Sequence, residues 1–171
     1  MCRVGLAPCA PFSVSAELMK TMAQQAKKWG VGLHTHLAET IDEEIYCLER
    51  YKMRPLDFIE SVGWMEGNAW FAHMVHLSPD EVRRLAQTRT GVAHCPSSNM
   101  RLGSGIAPIR EYLDAGVPVG LGVDGSASND SGDMLAELRQ CMLVHRIRTG
   151  VKSMPARQVL WMATRGGAEV L

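Results

Sequence analysis

Apolar and polar positions follow two alternating rhythms along this chain. Short dense runs read as strands: RVGLA (3–7), VGLHTH (31–36), AWFAHMVH (69–76), GVAH (91–94) and VPVGLGVD (117–124). Between them, longer stretches repeat their apolar positions at helical spacing: 15–30, 40–62 with a break near Pro55, 78–87, 109–116, 134–148 and 156–171. The punctuation agrees with these limits. Ser15 reads as an N-cap and Gly30 as the residue just past a helix end, while Ser78-Pro79-Asp80-Glu81 supplies a cap, a first-turn proline and two acids.

Strands alternating with helices argue for parallel βαβ units, in either a doubly wound sheet or a barrel. The strand ends decide between them. His36, His73 (or His76), His94 and Asp124 each close a different predicted strand, on the edge that carries chemistry in both folds. A flat sheet would string these groups out at roughly 5 Å per strand, whereas a ring of strands points them at one spot. The expected fold is α/β, part of a TIM-type (β/α)8 barrel, and no linker or composition break divides residues 1–171 into two domains.

Composition trims the list of partners. The 18 basic and 18 acidic residues balance, without a run of like charge, which argues against nucleic acid or an anionic membrane as partner. The 5 cysteines are odd in number and form no CxxC pair, as suits reduced thiols in a cytoplasmic protein. The apolar runs are too short to span a bilayer, and the first residues lack the order of a signal peptide.

The candidate chemistry lies at the strand ends. In LHTHLAET (33–40), His34 and His36 share a strand face, and Glu39 follows just past the strand. Imidazole there suits zinc or iron, and the glutamate could swing over an open coordination position. His34 sits one layer deeper and reads as a supporting or core residue. In HMVH, positions 73 and 76 cannot both point inward from one strand; His73 is preferred, on the face of Phe71 and Val75.

HCPSSN (94–99) leaves two readings open: His94 and Asn99 reach a substrate, or the segment is a proline turn held by Ser97, Ser98 and Asn99. Gly120, Gly122 and Asp124 share a face of the last strand, so the glycines either leave room for a ligand beneath the aspartate or admit close packing, with Asp124 as a loop cap. The GxGxxG in GLGVDG lacks the following helix and acid-ended strand of a dinucleotide site and is set aside. HExxH, GxSxG, a phosphate-binding P-loop and PCxxC are absent from the sequence.

Taken together, HTHLAET, AHMVHLSPDEV, VAHCPSSNMRLGSGIAP and VGLGVDGSASND resemble, in order, the strand-end motifs of the amidohydrolase superfamily, in its purine, cytosine and triazine deaminase branch. Within that branch the likeness is strongest to bacterial 8-oxoguanine deaminases, with hydroxydechloroatrazine ethylaminohydrolases nearby. The resemblance implies a hydrolytic deaminase of a purine-like ring, releasing ammonia with one divalent metal, zinc rather than iron. It implies His36 as a metal ligand and Asp124 as both ligand and base. Glu39 would pass a proton to the ring nitrogen, and His73 would orient and help deprotonate the attacking water. The partner would be a small heterocycle, and the parent protein a homo-oligomer.

The superfamily also begins with an HxH pair on its first barrel strand, and no such pair precedes residue 31. Residues 3–15 resemble the fourth strand and its loop, with Ala10 where serine is expected. The chain is also shorter than the roughly 250 residues of a typical barrel. It therefore reads as strands four to eight of a larger enzyme, without the first strands and the flanking β-sandwich, and inactive alone. An s-triazine amidohydrolase and a non-catalytic binding or assembly module are the alternatives.

Overall fold

A computed structural model describes residues 4–171; Cys2 and Arg3, the latter in the expected first strand, lie outside the described residues. Five parallel strands pair strictly in chain order: β1 (Gly5–Leu6), β2 (Gly32–Leu37), β3 (Ala69–His73), β4 (Gly91–His94) and β5 (Val119–Leu121). A doubly wound sheet must reverse its strand order somewhere. Here no reversal occurs, so every crossover lays its helix on the same face and the sheet curls as an arc of a barrel.

The helices are α1 (Ala16–Trp29), α2 (Ile41–Tyr51), α3 (Pro55–Ser61), α4 (Pro79–Thr88), α5 (Pro96–Leu102), α6 (Ile109–Ala115), α7 (Met134–Thr149), α8 (Ala156–Trp161) and α9 (Gly167–Val170). The caps act as the sequence indicated. Ser15 accepts from the Leu18 N–H, Gly30 ends α1 in the left-handed region at φ 65°, and Ser78 and Glu81 form a reciprocal capping box on α4. The break near Pro55 is real, with Lys52 left-handed after α2 and Pro55 opening α3.

The alternation in β2 separates two environments. Leu33, Thr35 and Leu37 are buried toward the helices, while His34 and His36 face the half-open inner side. Leu33, Leu37, Phe71, Val92 and Val119 meet Met19, Leu56, Ile59, Trp64, Leu85 and Ile109 in one core beneath the helical layer. Each such side chain contributes about 1.5–3 kcal/mol by leaving water.

Four expectations are corrected. Residues Pro96–Leu102 form a short helix, α5, with Pro96 in its first turn, rather than a turn alone. The third strand stops at His73, because His73 and Met74 take φ of 72° and 48° and leave the pleat, and the fifth stops at Leu121, short of Asp124, which is left-handed at φ 64°. Residues 156–171 are not one regular helix: a π segment, Met162–Gly166, separates α8 from α9.

The fourth concerns the glycine face. A Cβ on Gly120 would lie 2.8 Å from the Gly167 Cα, and one on Gly166 would lie 2.3 Å from the Val119 carbonyl oxygen. A Cβ on Gly122 would lie 3.2 Å from the Cys95 sulfur. Gly120 and Gly166 therefore let the C-terminal helical segment dock on β5, and Cys95 lies against the open face of Gly122.

Candidate metal centre

His36 and His73 end neighbouring strands one register step apart, with Leu37 paired to His73. A regular pleat would send His73 to the core side with Phe71. The left-handed backbone at His73 and Met74 turns its ring back to the inner side instead, where it stacks on His36 with centroids 5.3 Å apart. Left-handed non-glycine residues cost of order 1–3 kcal/mol each and persist where neighbours fix them. The fixing bonds are present: Met74 N–H donates to the Leu37 carbonyl at 3.1 Å, and Val75 N–H to the Ala38 carbonyl at 2.8 Å.

Asp124 reaches the same spot from the loop after β5. Its Oδ1 lies 3.8 Å from His36 Nε2, and its Oδ2 lies 3.8 Å from His73 Nε2. Glu39 Oε2 approaches His73 Nε2 at 3.7 Å. One ligating atom from each of His36, His73 and Asp124 falls within 4.8 Å of the others.

Both rings are held in the tautomer a cation needs. His36 Nδ1 can only donate to the Cys9 carbonyl, which leaves the lone pair on Nε2. His73 Nδ1 donates to Asn99 Oδ1 at 2.8 Å, and its Nε2 is buried without a hydrogen-bond partner among the described residues. A buried lone pair with nothing to accept is costly unless something electropositive sits there. Two imidazole nitrogens and a carboxylate are donors that zinc and iron accept, so the residues fit a divalent metal.

The carboxylates are tuned by their partners. Burial alone would raise the Asp124 pKa, but hydrogen bonds from the Ser98 hydroxyl, the Gly125 N–H and the Ser128 hydroxyl bring it below its ordinary value. Ser98 and Ser128 donate to Oδ2 at 2.6 and 2.9 Å. Glu43, almost fully buried, accepts from the Ala38 and Glu39 N–H groups at 2.9 Å each, fixing the loop that presents Glu39. Burial still pushes Glu43 up from 4.5 to about 7, against the lowering by those two N–H groups.

Of the residues singled out in sequence, His36, Glu39, His73 and Asp124 converge. Asn99 joins them through the His73 ring. His94 does not: it is buried, and its Nε2 lies 3.1 Å from His145 Nε2. His76, passed over in favour of His73, bonds the Ser104 carbonyl at 2.9 Å. His34 stacks on Trp70 in the layer below, as its register implied, with centroids 5.2 Å apart. Sequence reasoning missed Glu43, Ser128 and the Cys9 carbonyl. Thr40-x-x-Glu43 carries a capping-box signal that could have drawn attention to Glu43.

The amidohydrolase family profile, described as "Amidohydrolase family", matches residues 1–171. The chain belongs to this family. It is 50% identical over 169 residues to an 8-oxoguanine deaminase of Pseudomonas aeruginosa, covering 99% of this chain and 38% of that relative. An atrazine chlorohydrolase of Arthrobacter aurescens solved with zinc superposes at a TM-score of 0.93 with 41% identity, over 97% of this chain and 37% of that one. A zinc-bound adenosine deaminase of Xanthomonas campestris gives a TM-score of 0.93 with 31% identity, over 96% and 38%. This family member thus spans well under half the length of the relatives it matches, and its arc is the part of the amidohydrolase barrel that carries His36, His73 and Asp124. No helix among the described residues is long and apolar enough to cross a membrane.

Proposed function

We propose that this chain is the strand-four-to-eight part of a hydrolytic deaminase acting on a purine-like ring, with 8-oxoguanine the first substrate to test. The supporting observation is the meeting of Glu39, His73 and Asp124 within 3.8 Å around one buried nitrogen, beside His36. His36 and Asp124 hold a divalent metal, zinc in preference to iron, since two superposable relatives were solved with zinc. When bound, that ion supplies hydroxide from water at neutral pH, by lowering the water pKa from 15.7 to about 7.

The chain's own residues do the rest. Asp124, kept ionised by three donors, accepts the proton of the attacking water. His73, locked by Asn99 with its Nε2 lone pair inward, orients that water. Glu39 carries a proton to the ring nitrogen beside the attacked carbon. Oxygen bonds to carbon, the exocyclic amine takes the proton held by Asp124, the new hydroxyl returns its proton to Glu39 as the carbonyl forms, and the carbon–nitrogen bond breaks to release ammonia. Asn99 acts through His73, and His94 has no place in this scheme.

The working protein on this reading is a cytoplasmic homo-oligomer of longer chains that takes a small heterocycle. Ammonia release from 8-oxoguanine by the full-length protein, and none by the 171-residue chain alone, is the expected result. The likeness to atrazine chlorohydrolase keeps an s-triazine substrate as a second reading, and turnover of triazines but not purines by the same protein would select it. No bound metal and no turnover would leave the non-catalytic module.

A further inference from the structure

Behind the first cluster, on the helical side of the sheet, three ligating groups meet without serving it. His94 ends β4, and Cys141 and His145 stand four residues apart on one face of α7. Their exposures are 1%, 0% and 0%. The two rings face each other through Nε2 at 3.1 Å, and neither Nδ1 has a hydrogen-bond partner among the described residues. One ligating atom from each residue, sulfur included, lies within 4.8 Å of the others.

We infer that His94, Cys141 and His145 form a second cation site, thiolate-containing and with three protein ligands, for a borderline-to-soft ion of the zinc class. Two nitrogens on a tetrahedral zinc, each about 2.0–2.1 Å from the metal, sit about 3.3 Å apart. The rings need to part by only a few tenths of an ångström. Without an ion, two neutral imidazoles share one proton while two further ring nitrogens stay unsatisfied, an expensive use of a core position.

The charges close as well. Glu137, one turn before Cys141 on α7, is fully buried, its carboxylate held by the Ser97 N–H at 3.2 Å and the Asn129 amide at 2.6 Å. A dipositive ion, the Cys141 thiolate and the Glu137 carboxylate sum to zero. On binding, the Cys141 proton goes to solvent, and the proton shared by the two rings moves to an outer nitrogen, leaving a lone pair on each Nε2. The ion would tie β4 and α7 behind α5, the helix that holds Ser98 on Asp124 and Asn99 on His73. The site shares no residue with the first cluster, so its test does not depend on the proposed function.

Cobalt(II) in place of zinc provides the readout, because thiolate–cobalt bonds give an intense near-ultraviolet charge-transfer band and the first cluster contains no sulfur. The folded protein should develop that band, and Asp124→Asn should keep it. Cys141→Ala should lose it, and His145→Gln should bind cobalt at this site at least tenfold more weakly. No band in the folded protein, or an undiminished band in Cys141→Ala, overturns the proposal. If Cys141→Ala fails to fold, His145→Gln decides, and an unchanged band and affinity there overturn it.

Discussion

His73 donates from Nδ1 to Asn99 Oδ1 at 2.8 Å, and that bond fixes which nitrogen faces the carboxylates. Asn99 lies on α5, 26 residues further along the chain, so the helix after β4 sets the tautomer of the ring ending β3. Removing a residue that orients a catalytic ring in this way typically costs 10–100-fold in activity. Asn99→Ala is therefore expected to lower kcat of the full-length protein by about 10–100-fold, with zinc content unchanged by elemental analysis. Leaving Nδ1 buried and unpaired should also lower stability by about 1–3 kcal/mol.

Glu39 faces the same nitrogen from the opposite loop, and its assigned role is proton transfer. On the proposed function, Glu39→Gln should lower kcat of the full-length protein by about 10²–10⁴-fold while metal content stays unchanged. Elemental analysis beside steady-state kinetics separates this from a collapse of the site, in which both would fall.

Glu43 gives a pH signature in stability. Its folded-state pKa is raised, from 4.5 to about 7, chiefly by burial, so the folded state holds a proton that the unfolded state gives up between those values. Its contribution is complete below about 4.5 and is lost as pH rises through about 7. Urea midpoints should therefore fall across that window, and Glu43→Gln should flatten the slope.

Gly120 separates the two readings of the glycine face. A Cβ there meets the Gly167 backbone at 2.8 Å, and backbone cannot swing aside. Gly120→Ala should cost about 1–3 kcal/mol in thermal or urea unfolding, as overpacking does. An unchanged stability with impaired substrate binding would restore the ligand-space reading.

The sequence carried the strand order and the convergence because both follow from local rules: a period of two, a cap, a polar residue where a strand stops. Ser15, Gly30, Ser78 and Pro55 behaved as their types dictate. His73 shows where such rules end. Alternation placed it with Phe71, and only the left-handed backbone at His73 and Met74, fixed by bonds to Leu37 and Ala38, turns it inward. Periodicity holds no record of a φ of 72° in a histidine. His94 turns to His145, 51 residues away on α7, and that pairing is a tertiary fact. Gly120 and Gly122 were ambiguous for the same reason: what lies against their open faces is decided by Gly166 and Gly167 for the first and by Cys95 for the second.

On the proposed reading, His36 and Asp124 hold one divalent cation beside His73. Anomalous scattering at the zinc edge, from crystals of the protein grown with zinc, tests it most directly. The account predicts a peak about 2.0–2.2 Å from His36 Nε2 and an Asp124 carboxylate oxygen. A zinc-replete crystal with no peak between those side chains would contradict it.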